Sequence, residues 1–123
     1  MQRIFDGLSE VITVFAPTAV AIEKIFVHKN VSSALKLGQA RGAAIVAVAK
    51  HGLAISEYTP RQIKKTVVGF GGADKVQIQH MMQTLLSLSG LPQPDAADAL
   101  AVAFCHGENI RGQILELRSE HIK

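Results

Sequence analysis

The sequence predicts an α/β fold in a single domain over residues 1–123. Apolar residues recur at helical spacing in several long segments, and two short segments between those helices have the apolar pattern of strands. A chain of 123 residues is long enough for one core. Hydrophobic residues make up 48% of the chain and charged residues 19%, which favours a globular over a disordered chain.

The first predicted helix covers residues 2–15. Pro17 follows it, and its apolar residues share one helical face: Ile4, Phe5, Leu8, Val11, Ile12 and Phe15. No Ser, Thr, Asp or Asn cap and no strand precede this helix in the sequence. We therefore expect the chain to enter its domain midway.

A strand and a second helix follow. Residues 19–22 form a short apolar run that predicts a strand buried on both faces, with Glu23 at its carboxyl end. Ser32 or Ser33 can cap the second helix, and Gly52 suits the position just after its end.

Two glycines, Gly38 and Gly42, leave a flat stripe on the second helix. Such a stripe suits close approach by another element, in either an internal contact or a contact between subunits. Residues 53–58 predict a second strand, so that strand, helix and strand form a crossover with a parallel pair.

The next two helices have clear start signals. Residues 59–62 have the Thr-Pro-Arg-Gln sequence of a capping box with proline in the first turn. Asp74 and Gln77 repeat the capping pattern, and this helix is expected to end at Gly90.

Three acidic residues lie next to apolar segments, where burial of a carboxylate costs free energy. Glu23 closes an apolar strand, while Asp95 and Asp98 open a helix that is apolar almost all round through Phe104 and is expected to be buried. Carboxylates that converge at strand and helix ends can bind Mg²⁺ or Mn²⁺ and support phosphodiester hydrolysis. The structural alternative makes Asp95 the helix N-cap and Asp98 a first-turn acid. Residues 108–123 are expected to form a weakly structured tail, with only a weak helical pattern at Ile114, Leu115 and Leu117.

Other features have simpler interpretations. The glycine-rich residues 69–72 lack the P-loop spacing, so a flexible loop is favoured over a phosphate cradle. The histidines show no paired zinc-site spacing, and Cys105 is expected to be a small core residue. A single cysteine excludes an internal disulfide and favours the cytoplasm, and no targeting or membrane-spanning segment is predicted.

Positive charge is concentrated in the middle of the chain. Between Lys24 and Lys75 the sequence has nine lysines and arginines against two acids, while the whole chain has a formal charge of +3. This pattern suits a polyanionic partner, although a solvated soluble surface would give it as well. Phe26 lies in this basic segment, where its ring could stack on a base or pack into the core.

Four sequence blocks closely resemble bacterial RuvC resolvases in order and spacing. They are residues 21–26 (AIEKIF), 33–42 (SALKLGQARG), 64–69 (KKTVVG) and 95–101 (DAADALA). The resemblance extends over residues 1–105. It implies a ribonuclease-H-like fold, and the helix with Gly38 and Gly42 resembles the dimer-contact helix of the family.

The resemblance also implies a function. RuvC proteins are Holliday-junction resolvases (crossover junction endodeoxyribonucleases), which make paired symmetric nicks in four-way DNA junctions during recombination and repair. They work as homodimers with the RuvA and RuvB branch-migration proteins and hydrolyse the phosphodiester with Mg²⁺ or Mn²⁺. Two such ions are expected in the complete protein.

Six residues match functional residues of the family by motif. Glu23, Asp95 and Asp98 match three of its four metal-binding catalytic acids. The DNA-binding matches are Phe26, which corresponds to the aromatic residue that meets junction bases, and two basic residues of the DNA cleft, Lys64 and Lys75.

The sequence departs from the family at its start. RuvC proteins open with a strand bearing Asp-Pro-Gly, whose aspartate contacts the metal centre, and two further strands follow it. We therefore expect a ribonuclease-H-like fold truncated at the amino end, with the first strands missing, and a chain deficient in catalysis. Two alternatives stay open: a non-catalytic DNA-binding or dimerisation fragment, and a ribonuclease-H-like nuclease with another substrate.

Overall fold

A computed structural model describes residues 2–24, 31–69 and 74–122. Its elements in chain order are α1 (Gln2–Phe15), β1 (Val20–Glu23), α2 (Val31–Lys50), β2 (Ile55–Tyr58), α3 (Pro60–Val68), α4 (Lys75–Leu85) and α5 (Pro94–Ile122). The predicted α/β class is confirmed, and most of the described residues are helical. The chain divides into two compact units, Met1–Ser56 and Glu57–Lys123.

In the first unit, α1 packs against α2. The side chain of Ile12 is buried on α1, and Ala47 and Val48 are buried on α2. The ammonium of Lys50 lies 5.4 Å from the centroid of the Phe5 ring, which adds a cation–π contact between the two helices. The first helix therefore has the bounds that its apolar spacing predicts.

The two strands form a two-stranded sheet. The amide of Val20 donates a hydrogen bond of 3.2 Å to the Ala54 carbonyl at the start of this pairing. All four residues of β1 are half-exposed, so the prediction of a strand buried on both faces is wrong. The reason is that β2 is the one strand that pairs with β1 among the described residues.

The end of α2 lies where the sequence predicts it, but its start does not. Gly52 has a φ of 72°, and the amides of Gly52 and Leu53 donate back into the last turn at 3.0 and 3.3 Å. At the other end α2 begins at Val31, so Ser32 and Ser33 lie inside the first turn and neither is the N-cap. The cap position falls outside the described residues.

In the second unit, α3, α4 and α5 pack against one another. Both predicted capping boxes are present, at Thr59 with Gln62 and at Asp74 with Gln77. Met82 of α4 has no exposed surface, and the other buried residues of the unit surround the same core: Tyr58, Ile63, Val67, Ile78, Ala97, Ala101, Val102 and Cys105.

The fourth helix ends at Leu85, five residues before the predicted end at Gly90. Ser87 takes a positive φ of 52°, and the amides of Ser87 and Leu88 donate back into the last turn at 3.3 and 3.0 Å. Ser87 thus occupies the left-handed position that usually holds glycine. Because glycine is the usual residue at such a position, Gly90 predicts a helix end that is too late.

The last helix continues to Ile122, so residues 108–122 do not form a weakly structured tail. Most of them are good helix formers, which outweigh Gly107 and Gly112, and Glu108 and Arg111 lie 3.8 Å apart as an ion pair one turn apart. The helix buries one face instead of being buried all round. No helix within the described ranges is long and apolar enough to cross a membrane.

Candidate functional site

The two aspartates of the candidate site lie in the first two turns of α5. The helix begins at Pro94, and the amide of Ala97 donates a hydrogen bond of 2.8 Å to the Gln93 carbonyl. Asp95 is therefore the second helical residue and not the N-cap. Asp98 begins the second turn, so it is not a first-turn acid either. Asp95 is exposed and Asp98 is half-exposed.

Asp98 lies on the stripe of α5 that faces the core of the second unit. Three, four and seven residues further along, Ala101, Val102 and Cys105 are buried, with exposed fractions of 2%, 7% and 4%. An apolar side chain would suit this stripe, whereas a carboxylate loses hydration there without a gain in packing. A residue that opposes its local environment is typical of a functional position. The packing thus favours the functional interpretation of Asp98.

The donor chemistry of the two aspartates fits part of a divalent-cation site. Spaced by three residues, they lie on one side of the helix, and their hard oxygen atoms are of the type that Mg²⁺ and Mn²⁺ bind. Two carboxylates cannot complete the octahedral set that Mg²⁺ requires. Further ligands would have to come from another acid, from water or from phosphate oxygens.

Glu23 is the last residue of β1, as predicted, and is half-exposed. It belongs to the first unit and the two aspartates belong to the second, so the cluster of all three carboxylates stays a prediction. Within either unit, the described His, Cys, Asp and Glu residues include no group of three that could hold a metal ion.

The two candidate lysines lie on helices of the second unit. Lys75 is exposed and is the first residue of α4, directly after the capping residue Asp74. Lys64 is half-exposed on α3, next to the buried Ile63. Because α3 and α4 both pack against α5, the same core supports both lysines and both aspartates. Phe26, the third DNA-binding candidate, lies outside the described residues.

A side chain of α4 contacts the segment that leads into α5. Gln79 is half-exposed, and its Nε2 donates a hydrogen bond of 3.0 Å to the Pro92 carbonyl, two residues before the helix starts. Gln79 lies one helical turn after Lys75. The sequence does not predict a role for Gln79, because a glutamine on a helix gives no local signal of such a contact.

A second polar cluster of the same unit was also missed. The hydroxyl of Tyr58 lies 2.7 Å from Nδ1 of His106 and accepts a hydrogen bond of 3.2 Å from Nδ2 of Asn109. A cavity of about 300 Å³ adjoins the cluster and is lined by Tyr58, Gln62, Lys65, Thr66, Cys105, Glu108 and Asn109. Cys105 is buried, as predicted, and its Sγ lies 3.5 Å from Oγ1 of Thr66. These contacts join α5 to the end of β2 and to α3.

The glycine stripe of α2 is open within its own unit. A Cβ atom added at Gly38 or Gly42 would meet no described residue within 4 Å, and Leu35 and Val46 on the same helix are 62% and 57% exposed. The sequence left open an internal contact or a contact between subunits at this stripe, and the described residues of the first unit give no support to an internal contact.

The chain is similar to known proteins over most of its length. Residues 1–106 match the family model described as crossover junction endodeoxyribonuclease RuvC. RuvC of Colwellia psychrerythraea is 60% identical over 109 residues, which are 89% of this chain and 62% of that protein. RuvC of Cronobacter sakazakii is 56% identical over 120 residues, which are 96% of this chain and 69% of that protein.

Two solved structures have a similar fold. The structure of Thermus thermophilus RuvC has a TM-score of 0.81, and T. thermophilus RuvC in complex with Holliday junction substrate has a TM-score of 0.85. Both are 36% identical to this chain, and each comparison covers 91% of this chain and 68% of the other. The chain thus spans about two thirds of the length of the proteins it resembles.

Proposed function

Because the chain belongs to the RuvC family of crossover junction endodeoxyribonucleases, we propose that it carries the DNA cleft and three metal-binding acids of a Holliday-junction resolvase. The reaction is the hydrolysis of phosphodiesters in paired symmetric nicks of four-way DNA junctions, during recombination and repair. One observation carries the proposal: Asp98 of the family-like block 95–101 keeps a carboxylate on a helix stripe that is otherwise buried.

Glu23, Asp95 and Asp98 would hold the divalent cation, Mg²⁺ or Mn²⁺, with two ions in the complete site. When bound, such ions stabilise charge on the phosphate and lower the pKa of bound water. The protein's own contribution would be the carboxylate ligands, one at the end of β1 and two in the first two turns of α5.

Lys64, Lys75 and Phe26 would bind the DNA. The exposed ammonium of Lys75 and the half-exposed side chain of Lys64 can neutralise phosphates, which positions the backbone without reading sequence. Phe26 would stack on a base at the junction. The similarity to T. thermophilus RuvC in complex with Holliday junction substrate supports a four-way junction as the substrate.

The 123-residue chain by itself would bind junctions without nicking them. The Asp-Pro-Gly strand of the family does not occur in its sequence, and a two-metal site depends on every carboxylate that it shares. On this proposal both units belong to one ribonuclease-H-like domain. The match to the family model supports a single domain, because residues 1–106 include parts of both units.

The partners proposed besides DNA are a second copy of the chain and the RuvA and RuvB branch-migration proteins. The open stripe at Gly38 and Gly42 supports a homodimer, since it lets another helix approach closely. The same stripe supports the alternative function, a non-catalytic dimerisation or DNA-binding fragment. A cytoplasmic location follows from the DNA substrate and from the single, unpaired Cys105.

Junction binding by the purified chain tests the proposal. We expect the chain to bind a synthetic four-way junction at least about tenfold more tightly than a linear duplex of equal length, in EDTA and 100 mM salt. Addition of Mg²⁺ should give no nicks. Equal affinity for the two DNAs would contradict junction recognition. A stable dimer without junction preference would instead favour the dimerisation fragment.

A further inference from the structure

The segment between α4 and α5 sets the position of the candidate acids. It ends in Pro92 and Gln93, and α5 begins at Pro94, with Asp95 and Asp98 in its first two turns. Any change in the direction of this segment moves both carboxylates together.

Two of the three residues 92–94 are prolines and have no backbone N–H. The segment can therefore be held chiefly through its carbonyl groups. The Gln93 carbonyl accepts the first helical bond, from the amide of Ala97, at 2.8 Å. The Pro92 carbonyl accepts from Nε2 of Gln79 at 3.0 Å. One carbonyl thus starts the helix and the other ties it to α4.

The helix that supplies this bond is itself held firmly. Asp74 and Gln77 cap its start with reciprocal bonds of 2.9 Å, and Ile78 and Met82 on either side of Gln79 are buried, with exposed fractions of 5% and 0%. Gln79 therefore projects from a rigid support. A side chain on a mobile segment could not fix the Pro92 carbonyl in this way.

We propose that Gln79 is a positioning residue, whose amide holds the Pro92 carbonyl and so fixes the Asp95 and Asp98 carboxylates for a divalent cation. The proposal rests on the proposed function as regards the cation. Gln79 lies one turn after Lys75 on α4. The same helix would therefore bind the phosphate backbone through Lys75 and hold the two aspartates in position through Gln79.

Gln79→Met tests the proposal, because methionine keeps the length and helix propensity of glutamine but cannot donate. Gln83→Met is the matched control. It makes the same change one turn further along α4, at another half-exposed glutamine. Each variant of the 123-residue chain is examined by amide hydrogen exchange at Ala97, by paramagnetic broadening of the Asp95 to Asp98 amides with added Mn²⁺, and by thermal melting.

We expect exchange at Ala97 to be about fivefold faster in Gln79→Met, the factor that loss of one neutral hydrogen bond implies. The Mn²⁺ concentration at half-broadening should rise by at least about threefold, which is within the effect of a small misplacement of ligands. Melting and the affinity for junction DNA in EDTA should match Gln83→Met. A merely structural role would lower the melting temperature without a selective change in Mn²⁺ binding.

If the amide of Ala97 exchanges at the same rate in both variants, the positioning role is overturned, regardless of the result for Mn²⁺ binding. Faster exchange with unchanged Mn²⁺ binding would overturn the link between this bond and the carboxylates. Absence of Mn²⁺ broadening near Asp95 and Asp98 in the unsubstituted chain would contradict the proposed function itself, and the Ala97 comparison would still decide whether Gln79 holds the segment.

Discussion

Alanine at both Lys64 and Lys75 should weaken the dependence of junction binding on salt. Lys75 is exposed, and Lys64 is half-exposed with a flexible stem that can bring its ammonium to solvent. If each lysine neutralises one phosphate, each contributes about 0.9 to the slope of log affinity against log salt, so the double variant should lower the slope by about 1.8.

The size of this change is easy to measure. Between about 50 mM and 200 mM salt, a slope difference of about 1.8 means that the unsubstituted chain loses about twelvefold more affinity than the variant. Junction binding is followed by fluorescence anisotropy in EDTA over this range of salt. The affinity of the variant should be lower at every salt concentration, with the largest difference at the lowest.

A control removes the same charge elsewhere. Arg111 and Arg118 lie on α5 beyond the residues that match the RuvC family model, and both are exposed. Alanine at both should leave the slope close to that of the unsubstituted chain. An unchanged slope in the lysine variant would refute the role of the two lysines. An equal decrease in the arginine variant would also refute it, since net charge alone would then explain the effect.

Three further predictions concern stability, each measured by urea unfolding followed by circular dichroism. Met82→Ala should lower the free energy of unfolding by about 2–5 kcal/mol, because Met82 has no exposed surface. Met81→Ala, at the half-exposed neighbouring position, should lower it by about 1 kcal/mol or less, and equal losses would mean that Met82 is not central to the core. Asp98→Ala should raise the free energy of unfolding by about 0.5 kcal/mol, through better helix propensity on a buried stripe; a loss of stability would assign Asp98 a structural role. Tyr58→Phe should lower it by about 1 kcal/mol, because its partners His106 and Asn109 are accessible enough to regain water; a neutral effect would show that the hydroxyl cluster adds no stability.

Local signals in the sequence were sufficient for most of the secondary structure. The capping boxes at residues 59–62 and 74–77 and the glycine after α2 form their contacts within a few residues, so sequence spacing shows them directly. The bounds of α1 follow from one apolar face. The same reasoning placed the end of α4 wrongly, because Ser87 adopts a backbone conformation that glycine usually provides.

The parts of the site that depend on long-range contacts could not be predicted in this way. Asp95 and Asp98 were identified by motif and by their place at the start of an apolar helix, but which face of that helix is buried depends on how α5 packs on its neighbours. Tyr58 meets His106 across 48 residues of sequence, and Gln79 meets Pro92 across 13. Neither pair has a spacing that predicts contact. The sequence predicts the last part of α5 only weakly, because this part of the helix depends on propensity and not on an apolar face.

The proposed function requires Glu23, Asp95 and Asp98 to bind one divalent cation. A crystal of the chain grown with Mn²⁺ tests it most directly, because the anomalous signal locates the ion independently of the protein atoms. We predict a peak that has all three carboxylates as ligands at about 2 Å. A peak bound elsewhere, or a structure in which the Glu23 carboxylate lies far from the two aspartates, would contradict the account.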